Sequence, residues 1–167
     1  MSAIISDASV LICLGAAQQL HLLREFYQEI IVPDAVWREV TAATAARAGA
    51  KESLQARQQG WLKVQTPANH SLVASLQTTL GAGEAQAIAL AAEVHARLLL
   101  IDESDGRKQA RALGLVVTGT LGVLLLGKQS GRVSALKPIL DVLIQQHSFR
   151  LARSLYEQIL QQVGEAP

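Results

Sequence analysis

The chain alternates short β-branched or aliphatic runs with longer Ala- and Leu-rich segments of helical period, the pattern of a parallel sheet covered by helices on both faces. Runs at Ala3 to Ser6, Glu29 to Val32, Leu62 to Val64, Arg97 to Ile101 and Leu115 to Val117 predict strands. Several are apolar on both faces, as central parallel strands must be when helices cover both sides. Ser9 predicts the cap of a helix reaching about Ala16, and Pro33 fits the first turn of one carrying Trp37 and Val40. Further helices are expected from Gly83 to about Val94, from Ser104 to Leu113 and from Thr120 to Lys128. Leu72 to Leu80 is also helical in pattern, and Gly114, Gly127 and Gly131 supply stops. The Ala- and Gln-rich stretch from Thr41 to Gly60 has few bulky apolar groups and reads as a loosely attached helix or arm. Apolar spacing at Ile139, Leu140, Leu143 and Ile144, then at Leu155, Ile159, Leu160 and Val163, predicts two amphipathic helices. These either close the domain or offer a dimer surface.

With 167 residues, half of them hydrophobic, the chain can bury one sizeable core. The expectation is one α/β domain over 1–167, with a core at about 3–130 and C-terminal helices at about 135–164. The start, Met1 to Leu11, lacks the basic region of a secretory signal, and Asp7 interrupts its apolar stretch, so a cytoplasmic location is expected. Apolar runs such as Leu121 to Leu126 are far shorter than the roughly 20 residues a bilayer requires. Cys13 is the only cysteine, which excludes an intrachain disulfide and a thiolate zinc site, and it reads as a small buried hydrophobe. Net charge is +1, but residues 1–102 carry seven basic and nine acidic side chains, whereas 103–167 carry eight and five. The C-terminal part is thus mildly basic, a weak preference for polyanions.

Chemistry in a parallel α/β sheet collects where strands end, because the loops there diverge and leave a crevice. Asp7 directly follows the first predicted strand and Asp102 directly follows the Leu98 to Ile101 run. Glu84 lies in Gly81-Ala82-Gly83-Glu84-Ala85, at the first turn of an almost uncharged helix, and Glu39 sits mid-helix in Val36-Trp37-Arg38-Glu39-Val40. Each acid alone has a structural reading: a helix cap for Asp7 and Asp102, a dipole partner for Glu84, a solvated position for Glu39. Two like charges about 4 Å apart repel by roughly 4 kcal/mol at an effective dielectric near 20. Carboxylates gathered together therefore require protons or a cation, and an all-oxygen set suits Mg²⁺ or Mn²⁺.

These segments resemble the PIN-domain family of metal-dependent ribonucleases, in which the first strand ends in Asp-x-Ser/Thr and three further acids complete the site. The matching positions are Asp7-Ala8-Ser9, Glu39, Glu84 and Asp102. Ile5-Ser6-Asp7-Ala8-Ser9, Gly81-Ala82-Gly83-Glu84-Ala85, Leu100-Ile101-Asp102-Glu103 and Thr118-Gly119-Thr120-Leu121-Gly122-Val123-Leu124 are similar to a prokaryotic branch related to the toxin nucleases of type II toxin–antitoxin pairs. The resemblance implies a three-layer α/β/α fold around a parallel sheet of four to five strands, and an endoribonuclease that uses Mg²⁺ or Mn²⁺. It implies Asp7, Glu84 and Asp102 as metal ligands, Glu39 as an outer acid, and Ser9 as a supporting hydroxyl. A further acid is expected at Glu103 or Asp105, with Asp105 preferred, while Thr118 and Thr120 either contact phosphate or hold Asp7. A homodimer and a small antitoxin partner are implied as well.

Rival readings fit less well. Gly81-x-Gly83 follows a helical segment and not the first strand of a dinucleotide-binding unit. A haloacid-dehalogenase-type phosphatase needs an Asp where Ser9 stands, and a phosphoacceptor receiver domain needs paired acids and a late lysine. The remaining alternative is a PIN-like fold kept as a binding module with weak or lost catalysis. Arg107 reads as a solvated or structural residue, with pairing to the acids or phosphate binding as the other possibilities; Trp37, Trp61, Tyr27, Tyr156, Phe26 and Phe149 are the side chains able to stack on bases, with Trp37 and Phe26 read as core.

Overall fold

A computed structural model describes residues 2–42 and 48–167, so part of the expected Thr41 to Gly60 arm, 43–47, lies outside the described residues. Strand β1 (Ile4–Ser6) leads into helices α1 (Ala8–Ala16) and α2 (His21–Tyr27), and β2 (Ile30–Val32) into α3 (Asp34–Ala42) and α4 (Ala50–Gln58). Strand β3 (Leu62–Val64) is followed by α5 (His70–Leu76) and α6 (Ala82–Glu93), and β4 (Leu98–Leu100) by α7 (Ser104–Ala112). Strand β5 (Val117–Thr118) precedes α8 (Thr120–Gln129), α9 (Lys137–Gln146) and α10 (Arg153–Gln162).

The five strands form one parallel sheet in the order β3-β2-β1-β4-β5. The chain therefore builds outward from β1 on one side, then returns to place β4 on the other. That reversal puts the topological switch point, where crevices form in open α/β sheets, between β1 and β4. Alternate side chains of these strands enter two cores. Ile4 and Leu100 pack with Val10, Leu14, Val123 and Leu124 on the α1 and α8 face, whereas Ile5 and Leu99 pack with Ala85, Ile88 and Ala110 on the α6 and α7 face. The fold is thus the three-layer α/β/α arrangement expected from the apolar runs.

The two C-terminal helices close over the first core: Leu140, Leu143, Ile159 and Leu160 all belong to it. Their apolar spacing is accounted for within the chain. A Glu165 clasp fixes them, its carboxylate accepting from the Leu136 and Lys137 amides at 2.7 and 2.8 Å and facing Lys128 Nζ at 3.0 Å. Among the described residues, no helix is long and apolar enough to cross a membrane.

Several sequence expectations shift. Ser9 lies inside α1 and does not cap it; the cap is Asp7, whose side chain accepts from the Val10 amide. The reason is pairing: the Asp7 amide donates to the Leu100 carbonyl, so Asp7 stays extended and helix begins one residue later. The last strand starts at Val117, two residues after the expected Leu115, because the Leu115 amide is still tied to the Ala110 carbonyl of α7. Gly127 is no stop but an interior residue of α8, where a Cβ would stand 2.9 Å from Val133 Cγ2 and 3.1 Å from Leu22 Cδ1. Helix α2 was not anticipated at all.

Candidate active site

The site is built from helix beginnings. Asp7 caps α1, Glu84 occupies the first turn of α6, Glu103 and Asp105 stand at the start of α7, and Asp102 faces the start of α8. All lie at the carboxyl edge of the sheet around the β1/β4 switch point. Several positive helix ends directed at one spot partly offset the cost of gathering carboxylates there.

Asp7 is 1% exposed. Its Oδ1 accepts from the Val10 amide at 3.2 Å, while its Oδ2 is buried without any hydrogen-bond partner. Burial pushes its carboxyl well above the usual range; Asp102 adds to this, the Val10 bond opposes it, and Glu84 and Glu39 raise it further. The other three expected acids therefore all act on Asp7. Glu84, half-buried, is also raised, by burial first and then by Glu103, Glu39 and Asp105. Glu103 acts on Glu84 more strongly than Asp105 does.

Asp102 is held firmly. The Thr120 amide donates to its Oδ1 at 2.8 Å and the Thr120 hydroxyl to its Oδ2 at 2.7 Å. Thr120 thus holds Asp102, not Asp7, and is itself fully buried. The Cys13 thiol lies beside the same hydroxyl; burial first, then Asp102, pushes it up to about 11. Thr118 turns its hydroxyl over Gly122 at the start of α8. Ser9, half-buried, sits in the first turn of α1.

Three glycines form the floor. A Cβ at Gly83 would stand 3.0 Å from Glu39 Oε2, one at Gly106 would stand 2.8 Å from Glu84 Oε2, and one at Gly119 would overlap Asp102 Oδ1. Only hydrogen at these α-carbons leaves room for the carboxylates. Sequence reasoning missed Gly106 and Gly119; the available signal was a glycine inside a helical pattern and another between two threonines. The aromatic side chains are engaged in packing. Trp61 is buried with its indole donating to Gln59, Arg57 lies 4.7 Å over the Trp37 ring, and Phe26, Tyr27, Phe149 and Tyr156 pack against the α1-face core.

A hard divalent cation fits this set. The donors are all oxygen, one buried carboxylate oxygen has no partner, and the acids repel one another without a counter-charge. Among the described residues, no group of three His, Cys, Asp or Glu side chains is arranged to enclose an ion directly. An ion here would keep part of its water shell, the habit of Mg²⁺. The acids face solvent: Glu39, Glu103 and Asp105 are exposed. Cavities of about 360 and 420 Å³, one at the amino edge near Tyr27 and Arg97 and one near Arg24 and Trp61, contain none of them.

In an open parallel sheet of this kind, ligands bind in the crevice at the carboxyl ends of the strands, where these acids stand. A family model described as a PIN domain matches residues 3–165, and the chain belongs to the PIN-domain family. PIN domains are generally nucleases and typically use divalent metals. No curated protein matches the chain.

Proposed function

We propose that this chain is a Mg²⁺- or Mn²⁺-dependent endoribonuclease with Asp7, Glu84 and Asp102 as metal ligands, direct or through water, and Glu39 as an outer acid. The observation that carries this reading is the buried, unpartnered Oδ2 of Asp7 in a cluster of mutually repelling carboxylates. Such an arrangement raises the energy of the ion-free fold and makes sense as a standing cation site. When bound, a divalent ion supplies Lewis acidity toward the phosphodiester and toward water.

The chain's own residues do the rest. Thr120 locks the Asp102 carboxylate in one orientation through two hydrogen bonds. Glu84 would stay with Asp7 and Asp102 as a holder of the ion, and water that adds to phosphorus gives its proton to solvent. The bond from phosphorus to the leaving nucleotide oxygen breaks, and that oxygen is protonated from solvent. Ser9 adds a hydroxyl at the first turn of α1, and Glu103 is the supporting acid in preference to Asp105.

The test is incubation with labelled single-stranded RNA in Mn²⁺ and in chelator. Cleavage that depends on Mn²⁺ and disappears with Asp102→Asn is expected; cleavage undiminished in chelator overturns the reading. Thr120→Val should lower kcat about ten- to a hundredfold by freeing Asp102, and Thr120→Ser should restore most of it. Equal loss in both variants would show that the hydroxyl does not position Asp102.

The toxin role belongs to the same reading: a small antitoxin protein covers the exposed acids, and two copies of the chain pair. Leu126 and Leu155, 39% and 41% exposed, are apolar surface left over by the C-terminal packing. A light-scattering mass of one chain at micromolar concentration would remove the dimer.

A further inference from the structure

Among the described residues, the basic side chains divide into those that hold a carboxylate and those that do not. Arg38, Lys63, Lys128, Arg132, Lys137 and Arg153 each hold a carboxylate. Of those without an acidic partner among the described residues, Arg107, Lys108 and Arg111 share the nine residues of α7. With Ser104 they fall at i, i+3, i+4 and i+7, one continuous stripe on the helix. The opposite face is closed: Gly106 and Ala110 are buried, and a Cβ at Gly106 would press on Ile101 and Glu84. The stripe begins beside Asp102, Glu103 and Asp105 and runs away from them for about 10 Å at 1.5 Å per residue. Lys108 and Arg111 are exposed, whereas the Arg107 stem is half-buried, with an Nε that has no hydrogen-bond partner.

The acids alone would repel any polyanion, so a nucleic acid needs compensating positive charge close to the site. We propose that the Arg107, Lys108 and Arg111 stripe of α7 is the track for the sugar–phosphate backbone of single-stranded RNA, leading its scissile phosphate to the acid cluster. The proposal rests on the ribonuclease reading and adds to it where the strand lies. Its three side chains bind phosphate oxygens and carry no base specificity. Sulfate-like or peptide anions would feel the same charge, but only a strand presents phosphates in series along a helix face. Neutralising phosphates along such a track releases counterions, which makes binding steeply dependent on salt.

The test is fluorescence anisotropy of a labelled single-stranded oligoribonucleotide in EDTA, between about 50 and 200 mM salt. Lys108→Gln combined with Arg111→Gln, both at exposed positions, is expected to weaken binding roughly tenfold at the low end. It should also reduce the log–log salt slope by roughly 1.4, about 0.7 for each phosphate released on a single strand. Lys51→Gln combined with Arg150→Gln removes the same charge from unpaired positions elsewhere and should leave the slope in place. An unchanged slope in the α7 variant, or an equal fall in the control, overturns the track. So does poly-glutamate bound as tightly as RNA and lost through the same two substitutions, which would assign α7 to an acidic protein. Binding that behaves as expected while Mn²⁺-dependent cleavage is absent defeats the ribonuclease reading and leaves the track standing. Cleavage with an unchanged slope does the reverse.

Discussion

Asp7→Asn is expected to cut metal-dependent RNA cleavage by about a thousandfold and, at the same time, to stabilise the ion-free protein. The two effects have one origin. Asp7 is buried with one oxygen unpartnered, and Asp102, Glu84 and Glu39 all oppose its charge. Asparagine keeps an oxygen for the Val10 amide, and it caps helices as well as aspartate does, so α1 loses nothing. Removing the charge should raise ion-free stability by about 1–3 kcal/mol at neutral pH. The pH dependence has a definite sign. Folding raises Asp7 above its ordinary 3.8, so its contribution is fully present below that value and is lost as pH climbs through the raised one. Glu84 acts in the same direction from 4.5. Thermal unfolding in EDTA should therefore show wild type and variant nearly alike near the ordinary carboxylate range, with the variant ahead at neutral pH. A variant less stable than wild type at neutral pH in EDTA would refute the repulsion described at Asp7.

Gly15→Ala is expected to be the most damaging small substitution outside the site. The end of α1 crosses the start of α4 with main chain against main chain: a Cβ on Gly15 would overlap Gly49 Cα and lie 2.5 Å from Gly49 N. No flexible side chain is there to yield, and a Cβ on Gly49, itself at φ +86°, would lie 2.7 Å from the Leu11 carbonyl oxygen. Separation of the two helices should cost about 3 kcal/mol and lower the melting temperature by roughly 6–12 °C. Gly60→Ala, also at positive φ but with nothing within 4 Å, provides the contrast at about 1 kcal/mol. Melting followed by circular dichroism separates the two cases; a loss at Gly15 no larger than that at Gly60 would mean that the crossing yields without cost.

The central sheet was legible because its strands are buried on both faces, so Ile4-Ile5 and Leu98-Leu99-Leu100 appear as uninterrupted apolar runs. Once those runs are placed, Asp7 and Asp102 come together, since β1 and β4 are neighbours in register. The edge strand β5 was misplaced because two residues leave almost no periodicity, and the exit of α7 borrows Leu115. Helix α2 went unseen behind Gln18, whose φ of 57° turns the chain without a glycine to announce it. Choosing between Ser9 and Asp7 as cap required knowing that strand pairing extends to the Asp7 amide. What Thr120 holds depends on a contact across eighteen residues, between the β4 and β5 ends, which no local pattern encodes.

Because main-chain atoms at Gly83, Gly106 and Gly119 press directly on Glu39, Glu84 and Asp102, substitutional freedom around this centre is lopsided. The exposed positions of α7, Lys108 and Arg111, can be exchanged one residue at a time, allowing substrate preference to drift. Beneath the carboxylates an added methyl falls on the carboxylate oxygens themselves, so any change there moves the acids directly.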